Sequence, residues 1–412
     1  MILYNFFIRC LQCFIWIASF FNTKARAFVT GRRGLFSKLS LFSQDNQGPV
    51  WVHCASLGEF EQGRPVIEVI RKNYPSTPIL LTFFSPSGYE IRKHYPGADG
   101  VFYLPLDTPF YAKKFIEITK PILAIFVKYE FWYNYSNELK RQNIPALSIS
   151  CIFRKEQIFF KSYGSLFRKI LANFSFFFVQ NQESIKLLKS IGITNATLAG
   201  DTRFDRVYQV TQQAKEILVA KNFKDSQKVF VIGSCWLEDL DLLAPFINEN
   251  QAKLKFIIAP HEIKEKFLVE IENALQAKTV RYSNAGPRIA DAQVLLIDNV
   301  GLLARLYRYG EFAYIGGALG KGLHNILEAA CYGVPIFFGN KNYQKFQEAM
   351  DLIMRGGAFE VGTYPELKAK YEMLNNRPES FLLACEVTRQ YVHENLGATK
   401  KIIDYCRKYL PQ

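Results

Sequence analysis

Three short stretches in the first half of the chain put ionisable side chains directly after apolar runs. Ser56-Leu57-Gly58-Glu59 follows Val50–Ala55. Gly58 permits a tight turn and close backbone approach, and Glu59 falls where a helix begins. A carboxylate there can take a proton as a general base; an acid in a first helical turn is also what the helix dipole favours. Glu130 occupies the same kind of position in Lys128-Tyr129-Glu130-Phe131-Trp132-Tyr133-Asn134, after Ile122–Val127. Its alternative is a surface salt bridge. The third stretch is Gly200-Asp201-Thr202-Arg203-Phe204-Asp205. Its Arg203 suits a carboxylate or phosphate, or else is a solvated loop charge.

The second half carries a denser signal. Ile315-Gly316-Gly317-Ala318-Leu319-Gly320-Lys321-Gly322-Leu323-His324-Asn325 reads as a strand, a glycine-rich loop and the start of a helix near Asn325. Backbone N–H groups in such a loop, with a helix N-terminus behind them, bind anions. The spacing matches neither a Walker A loop nor a dinucleotide fingerprint, so neither ATP nor NAD is implied. Glu328 stands three residues beyond Asn325, on the same helical face, where a carboxylate can hold a ribose diol. Pro260-His261, after another apolar run, is placed to flank the same pocket. Tight packing of a glycine-rich turn is the simpler alternative.

These residues need elements to hold them. Apolar runs Val50–Ala55, Pro78–Phe84, Val101–Leu104, Ile122–Val127, Ala146–Ile149 and Phe174–Gln180 alternate with helical stretches of 8–14 residues. That alternation predicts a doubly wound parallel sheet. After a polar segment at Arg206–Asp225, read as helix plus linker, it restarts at Lys228–Ile232 and continues through Leu254–Ala259, Val294–Ile297, Phe312–Ile315 and Pro335–Phe338, with Val300–Tyr309 and Asn325–Tyr332 as helices. The expected fold class is α/β, with two facing Rossmann-like halves and ligands beyond the carboxyl ends of the strands. The expected divisions are 1–44, 45–206, 207–225 as linker and 226–412, the last helix being free to pack back on the first domain.

The chain has 412 residues, 51 Lys and Arg against 37 Asp and Glu, and a formal charge of +14. Such a surplus favours an anionic partner or a generally basic surface. Eight cysteines are scattered, and the only CxxC, Cys10 and Cys13, lies in a greasy stretch without a histidine pair, so neither a metal site nor a disulfide framework is expected. Met1–Phe21 is nearly all apolar and, as a helix, roughly 30 Å long. It is long enough to span a bilayer, and Arg9 near its middle makes an interfacial helix the equal alternative. Lys24, Arg26, Arg32, Arg33 and Lys38 follow with no acid before Asp45. This basic flank belongs beside anionic lipid on the cytoplasmic side.

Taken in order, from about Pro49 to Leu352, these stretches resemble the 3-deoxy-D-manno-octulosonate (Kdo) transferases. The family's Ser-x-Gly-Glu stands as Ser56–Glu59. Its Glu-x-Glu-x-Trp-Pro-Asn stands as Lys128–Asn134, with Lys128 for the first Glu and Tyr133 for Pro. Its Gly-Asn-x-Lys-Phe-Asp stands as Gly200–Asp205, and its Gly-Gly-Ser…Gly-Gly-His-Asn-x-Leu-Glu as Gly316–Glu328. Its Pro-Arg-His is thinned to Pro260-His261-Glu262. The resemblance implies a GT-B fold with an acceptor domain, a nucleotide-sugar domain and a membrane-associated N-terminal helix. It implies catalytic roles for Glu59, Glu130 and Arg203, and CMP-Kdo contacts at Ser56, Gly58, Pro260, His261, Gly301, Leu302, Leu303, Gly316, Gly317, His324, Asn325 and Glu328. The implied reaction passes Kdo from CMP-Kdo to a lipid A precursor with inversion, without metal or cofactor, at the cytoplasmic leaflet of the inner membrane and without nucleic acid. A UDP-sugar transferase or epimerase of the same fold is the nearest alternative. A non-catalytic basic membrane or nucleic-acid binder, which needs no Glu59, is the more distant one; no RRM, KH, zinc-finger or helix-turn-helix pattern is visible.

Overall fold

The computed structural model describes residues 2–213, 215–250 and 253–411. Met1, Ala214, Gln251, Ala252 and Gln412, which fall in the expected anchor, linker and second domain, lie outside the described residues. The chain divides into two units, one of Met1–Arg206 with Leu396–Gln412 and one of Val207–Asn395.

The first unit is built on seven parallel strands: β1 Val50–Cys54, β2 Ile79–Phe83, β3 Gly100–Tyr103, β4 Leu123–Val127, β5 Ala146–Cys151, β6 Phe176–Val179 and β7 Ala196–Leu198. Their order is β3-β2-β1-β4-β5-β6-β7. The central strands are buried on both faces, which is why they read as continuous apolar runs rather than alternating ones. Strand order reverses between β1 and β4, which pair directly, and there the connections leave a crevice beyond the strand ends.

Three helices precede β1: α1 Ile2–Ala18, α2 Thr23–Thr30 and α3 Leu35–Asp45. The expectation of a free-standing anchor over 1–44 differs from what is seen, because Phe28, Leu35, Leu39 and Phe42 are buried in the first unit. Arg32 also departs from the expected basic flank. Its guanidinium lies 3.5 Å from the Phe28 ring centroid and donates to the carbonyls of Phe28, Phe84 and Leu104. Burial draws it down to about 9. Among the described residues no single helix is both long and apolar enough to cross a bilayer; α1 and α2 together are, by length and composition, but bend by 119° at their junction. One side of α1 is docked: the Tyr4 hydroxyl donates to Asp107 Oδ2 at 2.6 Å, and Asn134 Nδ2 donates to Asn5 Oδ1 at 2.9 Å. The opposite side leaves Phe6, Phe7, Phe14 and Ile17 exposed.

The second unit repeats the plan with β8 Val229–Cys235, β9 Lys255–Pro260, β10 Thr279–Arg281, β11 Val294–Leu296, β12 Phe312–Ile315, β13 Ile336–Gly339 and β14 Ala358–Val361, in the order β10-β11-β9-β8-β12-β13-β14. Its reversal lies between β8 and β12. The segment expected as linker, 207–225, is the end of helix Thr202–Gln212 and a helix Leu218–Lys224 whose Ala220 and Phe223 are buried. The last helix packs back on the first unit, as the sequence allowed. The helix Ala398–Cys406 belongs to the first unit, where Ile402, Ile403 and Cys406 join Phe60 and Val66 in one apolar cluster.

Candidate active site

In the first unit the reversal point gathers carboxylates. The helix α4, Leu57–Asn73, starts directly after β1, with Ser56 as its N-cap and Glu59 in its first turn. The Ser56 hydroxyl donates to a Glu59 carboxylate oxygen, so the motif residues orient one another rather than capping the backbone. Gly58 is exposed beside them. Glu130 lies beyond β4, the neighbouring strand. Its Oε2 accepts from Trp132 Nε1 at 2.8 Å and lies 3.2 Å from His53 Nε2. Burial pushes the Cys54 thiol well up, and Glu59, Glu130 and Glu61 all add to the rise, so both motif carboxylates act on the end of β1.

His53 is fully buried, and its tautomer follows from its partners. Trp51 Nε1, which can only donate, reaches Thr82 Oγ1 at 2.8 Å. The Thr82 hydroxyl also meets His53 Nδ1 at 2.9 Å. A neutral imidazole with its proton on Nε2 donates to the Glu130 carboxylate and accepts the Thr82 hydroxyl proton at Nδ1, satisfying every group along Trp51–Thr82–His53–Glu130. Sequence reasoning missed His53 and Thr82. The available signal was a pair of polar residues on adjacent, otherwise apolar strands.

Arg203 is held within the unit. Its Nε donates to Asp201 Oδ2 at 2.8 Å and its backbone N–H to Oδ1 at 2.9 Å. Gln62 Nε2 lies 2.9 Å from both oxygens. Burial acts to raise the Asp201 carboxyl, but Arg203 and these donors outweigh it and hold it below the usual value. Arg203, expected to meet a substrate anion, is thus ion-paired through Nε with a buried neighbour and remains partly exposed.

In the second unit the reversal point is rich in rings. Trp236, just after β8, donates from Nε1 to His324 Nε2 at 2.9 Å. It stacks on His261 with ring centroids 4.1 Å apart and planes at 20°, and Lys321 Nζ lies 4.1 Å from its centroid. His261 is placed by a bond from its N–H to Cys235 O at 2.9 Å, directly after Pro260 ends β9. Burial, then the neighbouring His261, brings His324 down to about 4, so it is neutral at pH 7 and carries its proton on Nδ1.

The loop after β12 folds round a buried carboxylate. Asp239 accepts from Tyr314 Oη at 2.8 Å, Trp236 N at 2.9 Å and Gly317 N at 3.2 Å. Burial raises its carboxyl all the same. Gly316 and Gly317 are required here. A Cβ on Gly316 would strike Ser234 O and Asp239, while Gly317 has φ +93° and a Cβ there would lie 2.5 Å from Gly322 O. Neither Trp236 nor Asp239 was anticipated; the signal was a Trp and an acid directly after a strand.

Two expectations change. Residues 322–326 have no regular structure, and the helix runs only Leu327–Ala330, because Gly322 has φ +133° and Asn325 turns its side chain onto the backbone, Oδ1 accepting from Leu327 N at 3.2 Å. The backing of a full helix N-terminus is therefore absent. Asn325 Nδ2 still donates to Glu328 Oε1 at 3.1 Å, so the two named residues are neighbours. The expected helix Val300–Tyr309 is likewise short, Leu303–Leu306 with a 3₁₀ turn, since Gly301 has φ +85° and Leu302 is its N-cap. Leu303 packs beside Gly233 of β8.

The model for the 3-deoxy-D-manno-octulosonic-acid transferase family matches residues 29–206. The transferase of that name from Aquifex aeolicus is 29% identical over 351 residues, covering 84% of this chain and 90% of the relative. Its namesake from Haemophilus influenzae is 26% identical over 414 residues, covering 97% and 95%. Among solved structures, the UDP-GlcNAc 2-epimerase of Neisseria meningitidis bound to UDP-GlcNAc is similar with a TM-score of 0.62 at 16% identity, covering 87% of this chain and all of that one, a likeness of fold. With two parallel-sheet units of the GT-B kind, the motifs in order and relatives of one name along nearly its whole length, the chain is a glycosyltransferase similar to the 3-deoxy-D-manno-octulosonic acid transferases.

Proposed function

We propose that this glycosyltransferase takes Kdo from CMP-Kdo and places it on a sugar hydroxyl of a lipid A precursor, inverting the anomeric carbon, while held at the cytoplasmic leaflet of the inner membrane. The observation that carries the reading is the pair of carboxylates at the first unit's reversal point. Glu59, steered by Ser56, accepts the proton of the acceptor hydroxyl as its oxygen bonds to the anomeric carbon, and the bond to the CMP phosphate breaks. Glu130, held by Trp132 and His53, fixes the acceptor beside it. Direct displacement of this kind inverts the carbon.

The second unit suits the nucleotide. Trp236, His261 and His324 offer apolar faces to a base, Lys321 supplies positive charge for a phosphate, and Asn325 and Glu328 offer hydrogen bonds to a ribose. The membrane assignment draws on the exposed aromatic side of α1 with Lys24, Arg26, Arg33 and Lys38 nearby and no acid before Asp45. With one side docked through Tyr4 and Asn5, α1 is better suited to lie in the interface than to cross it.

Incubation with CMP-Kdo and a tetra-acylated lipid A precursor, followed by mass analysis, tests the reaction. A product heavier by one or more Kdo residues is expected; an unchanged acceptor, with turnover only of a UDP-sugar, defeats the reading. Deleting Met1–Phe21 should weaken vesicle flotation and leave a salt-sensitive remainder from the basic residues. Flotation equal to that of the full chain at high salt overturns the membrane assignment.

A further inference from the structure

A cavity of about 590 Å³ lies among α1, α2, α3 and the segment after β3, in the first unit. That is within the ~300–1,000 Å³ of small-ligand pockets. Ile15, Trp16, Phe28, Val29, Leu35 and Leu106 supply most of its wall. Arg32 also lines it, but the guanidinium already donates to three backbone carbonyls and lies against Phe28, so its charge is turned away from the space. Trp16 of α1 lines it, and Lys24, Arg26, Arg33 and Lys38 are exposed on the same helical segments. An apolar slot on a segment that exposes cations suits a long hydrocarbon tail that ends in an anionic head.

Its position sets which tail. The wall residue Phe28 packs edge-on against Phe84, with centroids 5.2 Å apart. Phe84 lies 4.9 Å from the Trp132 ring, and Trp132 donates to Glu130 at 2.8 Å. The pocket is thus two aromatic rings from a carboxylate of the candidate site. We propose that it holds one acyl chain of the acceptor lipid and so places the acceptor's sugar against Glu59 and Glu130. This deepens the lipid-acceptor reading and rests on it. A chain in the pocket also explains why an open apolar cavity persists beside the site.

Val29→Trp narrows the pocket from α2, and Ser37→Trp does so from an exposed position on α3 that leaves the core untouched. Loss of even two methylenes from apolar contact corresponds to ~10-fold in affinity. Two assays separate the outcomes. In the first, KM is compared for a long-chain acceptor and for the same phosphorylated disaccharide without its acyl chains. Either substitution should raise KM for the long-chain acceptor about 10-fold, leave its kcat within about two-fold, and leave the chain-free acceptor unaffected. In the second, cis-parinaric acid, a fluorescent fatty acid used below its micelle concentration, should bind the full-length protein and lose ~10-fold in affinity in each variant. Equal changes for both acceptors, or parinaric binding that ignores both substitutions, overturns the proposal. Should the enzyme accept no lipid at all, the lipid-acceptor reading fails, while the parinaric assay still decides the pocket. Where Val29→Trp does not fold, as judged by circular dichroism, the same two measurements on Ser37→Trp decide the matter.

Discussion

The two reversal points are built on the same strand plan and furnished oppositely. In the first unit, carboxylates follow two adjacent strands, and a buried Trp–Thr–His relay keeps one of them oriented. In the second, the corresponding place holds stacked rings, an amine and glycine turns, with the acid Asp239 buried beneath the loop. A sheet edge thus dictates where groups converge and leaves their chemistry to the few residues after each strand. Proton removal needs an ionised base open to the acceptor, whereas a nucleotide needs flat faces, cations and backbone N–H groups.

The largest expected effect tests the first half of that contrast. Glu59→Gln should cut turnover by roughly 10²-fold or more with little change in CMP binding, as expected for loss of a general base. Single-turnover rates with CMP-Kdo and calorimetry with CMP read the two quantities separately, and near-normal turnover removes Glu59 from its role. A smaller effect is expected from the second unit's own carboxylate. Glu328→Ala should weaken CMP binding by ~1.5–3 kcal/mol if the ribose is held there, and lower turnover at saturating donor far less than Glu59→Gln. Unchanged CMP affinity places the nucleotide elsewhere.

The smallest effect is a pH dependence. His324 is held at about 4, below the 6.5 of an unfolded histidine, so between these values the unfolded chain binds a proton that the fold refuses. Stability from this group is complete above pH 6.5 and is lost as pH falls toward 4, by at most ~2 kcal/mol, since the ring is partly exposed and screened. Denaturant midpoints of wild type and His324→Gln, compared across pH 4–7, should converge at the acid end. Parallel curves would mean that His324 titrates as an ordinary exposed histidine.

Much of this arrangement was legible in the residues. Continuous apolar runs ending in Gly-Glu, Tyr-Glu or Gly-Gly mark buried parallel strands and the turns after them, and those turns are where Glu59, Glu130 and Gly316–Gly317 stand. The three-residue edge strand β10, Thr279–Arg281, escaped notice because so short a segment carries no periodicity. The helix expected from Asn325 is cut to one turn after an irregular segment because a glycine at φ +133° and an Asn turned onto its own backbone outweigh the apolar spacing beyond them. His53 and Asp239 escaped for a different reason, since each has meaning only through distant partners. His53 meets Thr82 and Glu130, 29 and 77 residues away, and Asp239 meets Tyr314 and Gly317, 75 and 78 residues away. Arg203 was visible as a cation, but nothing in the spacing revealed that the neighbouring Asp201 would be buried and claim it.

The return of the chain's tail to the first unit has a consequence for biogenesis. Asp205, beside the exit at Arg206, accepts from Gly397 N at 2.7 Å and Thr399 N at 2.6 Å, so exit and re-entry are fastened together by one side chain. A ribosome makes α4 long before it makes Ala398–Cys406, the helix that covers the apolar side of α4. At ~5–20 residues per second, the roughly 320 residues between Asn73 and Ala398 impose a wait of about 16–65 seconds. Throughout that interval Phe60, Val66 and Ile67 lack their neighbours on Ala398–Cys406, and the second unit's last strand, ending at Val361, is made before it closes. The unit whose strands are made first is therefore completed after the other.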